Sequence, residues 1–331
     1  MKSLIKKLVE ATGPSGYESK VRDLVLEEVK PFVDEYLIDN LGNLITRKGE
    51  KNTGGMTIML AAHLDEIGII VTHVDENGFA RFTTIGGVRP RNTAGGRVRF
   101  LNGASGVIGM EGEPGNHNVT DITKMYIDLG VSKKKDCPVS IGDVAAFERT
   151  FADLGDRIVS KALDDRIGVG VLIKTLEKVK AGPNEIAGVF TVQEEVGLRG
   201  ATTAAFGIDP DLGIAIDITN SGDTPKDDSI DVGLGKGPAI KIKDSGMISD
   251  PRVVTWMEAG AKSANLPYQL EILIGGSTDA RAIQTSRAGV PSGCISIPCR
   301  YFHSPSEMVD LNDAQNAVKL LVHLLERPVK L

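Results

Sequence analysis

Tryptophan occurs once in this 331-residue chain, at Trp256, and aromatic residues together make up only 5% of it. A site that grips sugars on aromatic platforms has little to be built from. Cysteine is also scarce: Cys137, Cys294 and Cys299 cannot all pair. Cys294 and Cys299, in Gly293-Cys294-Ile295-Ser296-Ile297-Pro298-Cys299, read as buried reduced thiols and not as a disulfide or zinc ligands. There is no excess of basic charge. The formal net charge is −6, which argues against a nucleic-acid partner, and the short run Lys133-Lys134-Lys135 is followed at once by Asp136, as in a solvated loop. No apolar run approaches membrane-spanning length. The start, Met1 to Glu10, has amphipathic helical spacing and lacks a secretory core. Fixed-period repeats and low-complexity tracts are missing too. The expectation is a cytoplasmic protein with neither membrane nor nucleic acid as partner.

What the chain does contain is ordinary for a soluble globular protein: 41% apolar and 25% charged residues, with 38 glycines that predict many tight turns. Its length exceeds what one hydrophobic core usually serves, so two structural units are expected. Residues 1–35 predict two helices broken at Gly13-Pro14-Ser15-Gly16, the second with Val21, Leu24, Val25 and Val29 on one face. A hairpin turning at Asn40-Leu41-Gly42-Asn43 follows. Met56 to Ala62 is a continuous apolar run, as in a strand covered on both faces, and it ends at His63-Leu64-Asp65-Glu66. From 67 to 156 short β-type runs alternate with turns, among them the hairpin signal Asp75-Glu76-Asn77-Gly78. This stretch reads as an inserted β-barrel or sandwich-like domain, leaving 1–66 and 157–331 as one α/β unit. In that unit helices near 165–180, 251–265, 278–287 and 312–326 alternate with strands ending at Glu194-Glu195, Asp217, Leu273 and Ile297. The fold class expected is α/β: a mixed, largely parallel sheet with helices on both faces, plus a small inserted all-β domain.

Val189-Phe190-Thr191-Val192-Gln193-Glu194-Glu195-Val196-Gly197 is the stretch around which the chemistry gathers. It reads as a buried strand that stops at two adjacent carboxylates. Neighbouring side chains on such a backbone point apart, so one glutamate can hold a cation while the other faces what the cation activates. Functional groups of open α/β sheets collect beyond the carboxyl ends of the strands, and those ends carry His63, Asp65, Glu194, Glu195, Asp217 and His303. Asp164 opens a helix in Lys161-Ala162-Leu163-Asp164-Asp165-Arg166. Singly, each has a plain alternative: a solvated Glu-Glu turn, a helix cap at Asp164 or Asp165, a loop acid at Asp217, a hydrogen-bonded core histidine at His303. Together, two histidines and several carboxylates at one rim suit zinc or a neighbouring divalent ion. Two ions about 3.5–4 Å apart, sharing a bridging carboxylate, is the economical arrangement.

Five segments then carry a specific resemblance. Ala61-Ala62-His63-Leu64-Asp65-Glu66-Ile67-Gly68, Lys161 to Arg166, Val192 to Gly197, Ile216-Asp217-Ile218-Thr219 and Arg300-Tyr301-Phe302-His303-Ser304-Pro305 are together similar to the co-catalytic aminopeptidases of the glutamyl-aminopeptidase and TET type (metallopeptidase family forty-two). The likeness runs in order through essentially the whole chain. It implies that His63 and Asp217 hold one metal, Glu195 and His303 the other, and that Asp164 bridges them. Glu194 would be the general base and Asp65 would orient His63 from behind. A cis peptide is implied at Asp164-Asp165. The resemblance further implies two divalent ions, zinc or else cobalt, and peptides with a free N-terminus as substrates. It also implies a homo-oligomer, from a dimer built by the β domain up to a hollow tetrahedral dodecamer.

Three other functions compete. A di-metal hydrolase of acylamino or other amide bonds is the nearest. A glycoside hydrolase needs two carboxyl groups flanking the bond, about 5–5.5 Å or about 6.5–9.5 Å apart, and suits neither the adjacent glutamates nor the single tryptophan. A structural metal site would be closed and often thiolate-rich, and would leave Glu194 without a role. Weaker signals are Gly233-Leu234-Gly235-Lys236-Gly237, a plain glycine-rich loop, and Gly275-Gly276-Ser277-Thr278-Asp279, a helix-opening turn that could line a substrate pocket. His117 reads as a surface-loop histidine that could reach an active site in an oligomer. His73 and His323 have no supporting neighbours.

Overall fold

The apolar run Ile58 to Ala62 becomes the centre of the sheet. In the computed structural model, which describes residues 1–112, 121–227 and 229–331, every residue of this run is buried. His117 lies outside the described residues. Before the run come helices α1 (Lys2–Glu10) and α2 (Ser19–Val29) and the hairpin β1 (Glu35–Ile38) and β2 (Leu44–Lys48); the run itself belongs to β3 (Thr57–His63). Six strands follow: β4 (Gly68–Val74), β5 (Ala80–Ile85), β6 (Arg97–Phe100), β7 (Ser105–Met110), β8 (Met125–Asp128) and β9 (Val144–Phe147). They close into a barrel in the order β4-β5-β8-β7-β6-β9. Alternation explains the closure: along β6, Arg97 and Arg99 are exposed while Val98 and Phe100 point into a core shared with Ile69, Phe82, Ile108 and Ile127.

The rest of the chain returns to the large sheet through β10 (Ala152–Leu154), β11 (Arg157–Ser160), α3 (Leu163–Lys178), β12 (Glu185–Thr191), α4 (Arg199–Ile208), β13 (Leu212–Asn220), β14 (Ala239–Lys243), α5 (Pro251–Ser263), β15 (Gln269–Ile272), α6 (Asp279–Gln284), β16 (Ser292–Arg300), β17 (Glu307–Asp310) and α7 (Leu311–Leu325). The sheet has 11 strands, with β1-β2-β12-β3-β13-β16-β17-β11-β10 as its main path and β14 and β15 attached beside β16. Its parallel pairings join β12, β3, β13 and β16 at the centre and β14 to β15, while the flanks are antiparallel. The sheet is thus mixed, parallel where both faces are covered. Ile58, Leu60 and Ala62 of β3 pack with α1, α3 and α7, and Met59 and Ala61 pack with Ala204, Ala205 and Ile283 of α4 and α6. That two-sided cover is why β3 has no polar alternation.

Two details of register open the space for a site. β12 stays paired with β3 through Thr191 opposite His63. β13 leaves β3 after Ala215 opposite Ala61, yet stays with β16 as far as Asn220 opposite Cys299. A fork therefore opens between β3 and β13. Asp217, expected at the end of its strand, sits three residues inside β13, on the lip of that fork. No helix among the described residues is long and apolar enough to cross a membrane.

Candidate active site

His63, the last residue of β3, is buried and lies with its Nε2 3.1 Å from Asp164 Oδ1 and 3.9 Å from Asp217 Oδ1. On the other side of Asp164, its Oδ2 is 3.3 Å from His303 Nε2, which is in turn 3.2 Å from Glu195 Oε1. Two donor groups result, His63–Asp164–Asp217 and Asp164–Glu195–His303, the ligand atoms of each lying within 4.8 Å of one another. Asp164 belongs to both, one oxygen turned to each. The carboxylates outnumber the imidazoles.

Local backbone chemistry sets these positions. The Asp164-Asp165 peptide is cis, and neither residue has helical dihedral angles. The helix begins beyond them, capped by Asp165, whose Oδ1 accepts from Gly168 N at 3.0 Å while Oδ2 accepts from His63 N at 3.2 Å. Asp165 is therefore the cap and Asp164 is free for other work. Five non-glycine residues in the left-handed region line or flank the site: Ala162 (φ 56°), Gln193 (φ 55°), Leu198 (φ 57°), Tyr301 (φ 60°) and His303 (φ 56°). Such conformations are uncommon away from glycine and collect where surroundings over-determine the backbone.

Asp65 carries more than a supporting contact to His63. His63 Nδ1 is 3.1 Å from the Asp65 carbonyl oxygen and 3.4 Å from its Oδ1. The Asp65 carboxylate accepts from the backbone N–H of Glu194 at 3.0 Å and of Glu195 at 3.1 Å, and from Ser15 Oγ at 2.6 Å. It thus pins the turn on which both glutamates stand. Glu307, which sequence reasoning passed over, does the same on the opposite side: its two oxygens accept from Asp164 N and His303 N, each at 3.0 Å. Its signal was faint, one acid four residues after His303. Asp279 stands in the turn named as a possible pocket wall, without a role of its own. It is buried, takes Thr191 Oγ1 at 2.5 Å on Oδ2, and leaves Oδ1 without a partner among the described residues.

The electrostatics follow from crowding acids in a recess. Burial pushes the Glu194 carboxyl well above the usual carboxylate range; Asp217, Asp279 and Glu195 push the same way and His63 opposes them. Asp217 is raised well above its ordinary value, first by burial, then by Asp164 and Asp279, against His63 and Lys241. Burial alone would lower both imidazoles, but the carboxylates outweigh it. Asp164 and Asp65 hold His63 well above its ordinary value, and Glu195 and Asp164 raise His303 to about 11. The mixed imidazole–carboxylate donors of the two groups suit zinc-like ions.

A cavity of about 630 Å³ opens over these groups. Besides the acids it is lined by Gly275, Gly276, Ser277 and Thr278, the turn before α6, where Thr278 caps the helix. The barrel reaches the same cavity through Gly87 and Arg89. Gly87 lies so close to His303 that an added Cβ would come within 2.4 Å of its Nδ1.

The family model described as M42 glutamyl aminopeptidase matches residues 42–320. A putative aminopeptidase of Acetivibrio thermocellus is 47% identical over 327 residues, covering 98% of each chain. Among solved structures, an aminopeptidase from the archaeon Desulfurococcus kamchatkensis superimposes with a TM-score of 0.93 at 42% identity, over 98% of this chain and 94% of that one. The TET1 peptidase of Pyrococcus horikoshii, described as assembling into a tetrahedron or a large octahedral shell, gives 0.86 at 32% identity over 99% of both.

Proposed function

This chain belongs to the M42 glutamyl aminopeptidase family, and from that premise we propose how its buried acids remove N-terminal residues from peptides. It is a metal-dependent aminopeptidase, a hydrolase of peptide bonds. The observation that carries the proposed site is the pair of donor groups sharing Asp164. His63 and Asp217 would hold one divalent ion, Glu195 and His303 the other, with Asp164 between them and zinc, or cobalt in its place, as the ion. When bound, the ions supply Lewis-acid polarisation of the scissile carbonyl and a water acidic enough to attack at neutral pH.

Everything else falls to the protein. Glu194 shares the recess without belonging to either donor group. Its carboxylate would take a proton from the attacking water and pass it to the nitrogen of the departing peptide. Asp65 positions the base and Glu195 together by holding both their backbone N–H groups. Glu307 fixes Asp164 to His303 in the same way. A site in which one of the ions would take the peptide's free amino group would cut only at the first residue.

The barrel and its approaches, residues 67–156, act as an inserted lid and dimerisation domain on a catalytic unit formed by 1–66 and 157–331. Gly87 against His303 supports the lid role. The working form is a homo-oligomer in the cytoplasm. A panel of aminoacyl-nitroanilides and their N-acetylated counterparts, assayed after loading with zinc and then with cobalt, tests the reaction. Release from the free amines alone is the expected result. Nitroaniline released only from the acetylated set would make the enzyme a hydrolase of acylaminoacyl amides, acetate released from that set with the anilide left intact would make it a deacylase, and turnover of neither set would end the reading.

A further inference from the structure

Beside the acid-lined cavity lies a second one of about 540 Å³ whose chemistry is the reverse. Arg89, Asn220 and Phe302 line both, so the two form one continuous cleft. Its remaining wall includes Arg91, Arg149 and Arg300. We infer that this basic arm binds the C-terminal carboxylate of short peptide substrates, on the side of the scissile bond away from the metals; the inference rests on the aminopeptidase reading above.

The arginines are not equivalent. Arg300 is already satisfied, its Nε and Nη2 each 2.7 Å from an oxygen of Asp223. It forms a neutral part of the wall. Arg89, Arg91 and Arg149 are exposed and make no ion pair among the described residues. The Arg89 guanidinium carbon lies over the Phe302 ring, 5.1 Å from its centroid. A cation–π contact of that kind holds the guanidinium while leaving N–H groups to donate to a carboxylate. Asp227 is the carboxylate that lines this arm among the described residues, and Ser229 N and Oγ already occupy its Oδ1, at 3.1 and 2.7 Å. A chain of net charge −6 has therefore gathered unpaired cations into one concave wall, next to its densest group of acids.

A short peptide is itself a dipole, positive at its amino end and negative at its carboxyl end. Laid along the cleft with its amine at the acids, it brings its carboxylate toward the arginines. A peptide whose C-terminus is amidated has the same length and side chains and loses only that contact. Charge-assisted hydrogen bonds are about twice as strong as neutral ones, so the contact should be visible as a rate ratio.

The test uses the full-length, metal-loaded enzyme and one tripeptide, headed by the residue it releases best, as free acid and as amide. The expected kcat/KM ratio of acid to amide is about fivefold or more, carried by KM, and it shrinks with added salt. In R89A/R91A/R149A the ratio falls toward one, in R91A/R149A it falls part of the way because Arg89 remains, and in R91K/R149K it lies between that and the parent, because a point charge remains without the fork. Thermal melts followed by circular dichroism verify the fold, and R149A alone carries the test if the double variant does not melt cooperatively. A ratio near one in the parent, or a folded variant that keeps the parent ratio, overturns the inference. Inorganic phosphate separates a free-anion site from a substrate site: competition with the acid but not the amide supports the inference, and equal inhibition of both overturns it. Equal cleavage of acid and amide leaves the aminopeptidase reading standing, whereas no cleavage of either tripeptide or of any nitroanilide sinks that reading.

Discussion

Glu194 and Glu195 are neighbours in sequence to which the proposed mechanism gives different work, and the difference is one of reach. Glu195 lies 3.2 Å from His303 within a donor group, whereas Glu194 shares the cavity and stands outside both groups. Replacing Glu194 with Gln removes the proton acceptor and keeps the volume. It should lower kcat by about 10²–10⁴-fold, the usual range for a general base, with KM and the metal content of the dialysed protein nearly unchanged. Unchanged kcat, or loss of metal, would assign Glu194 a different role. Residue types in order along the chain carried most of this site, because histidines and acids at the ends of apolar runs are visible in one dimension. The holding contacts were not. Asp65 gripping two backbone N–H groups, and Glu307 tying Asp164 to His303, depend on how separate segments meet, and an acid that binds backbone looks in sequence like any other acid.

At the scale of elements, the site is held by what packs behind and over it. Asn43, fully buried between β1 and β2, accepts from Val192 N at 3.0 Å through Oδ1 and donates to Gly200 O at 3.0 Å and to Asp39 Oδ2 at 2.6 Å. One side chain thus joins the hairpin, the end of β12 and the start of α4, two residues from Glu194. Asn43→Ala leaves the Val192 N–H buried and unpaired. It should cost about 1–3 kcal/mol, seen as a fall of several degrees in Tm, with kcat reduced as the glutamate turn loosens; an unaltered Tm would show that the hairpin is not a support. Over the site, Gly87→Ala puts a methyl where only 2.4 Å separates it from His303 Nδ1. The imidazole must move, so one of two metals should bind more weakly in chelator competition, while Tm of the metal-free protein changes little. Equal affinity for both metals in the variant and the parent would mean that the barrel loop yields instead. The alternation of elements was legible because long apolar runs have few alternatives. The short flanking strands β10, β11, β14 and β17 were not, since runs of three to five residues take their structure from the neighbours they pair with. The length of β13 escaped notice for a related reason: Ile218 to Asn220 are extended by pairing with β16, past the point where β3 has turned away.

Over the whole molecule the acids impose a condition on stability. Asp164, Glu194, Glu195 and Asp217 line one recess between the β3–β13 fork and the barrel loop, and Asp65, Asp165, Asp279 and Glu307 are buried around it. His63 and His303 are the basic side chains within the donor groups, Lys241 being engaged by Glu271. Bringing those charges together on folding is unfavourable unless cations accompany them. Ions that bind the folded chain and not the unfolded one stabilise it by mass action, about 4 kcal/mol for each site at a free concentration of ~1,000 Kd. Two such sites should shift Tm on the order of 10 °C. Dialysis against a chelator, followed by melting, is expected to show that fall, and titrating zinc back should restore Tm together with activity, both saturating at two ions per chain. The imidazole in each donor group distinguishes this from a non-specific salt effect, because magnesium at the same ionic strength, a poor partner for imidazole, should restore far less. A chelated protein that melts where the loaded one does would mean that the fold tolerates its buried acids unaided, and the paired donor groups around Asp164 would then need another explanation.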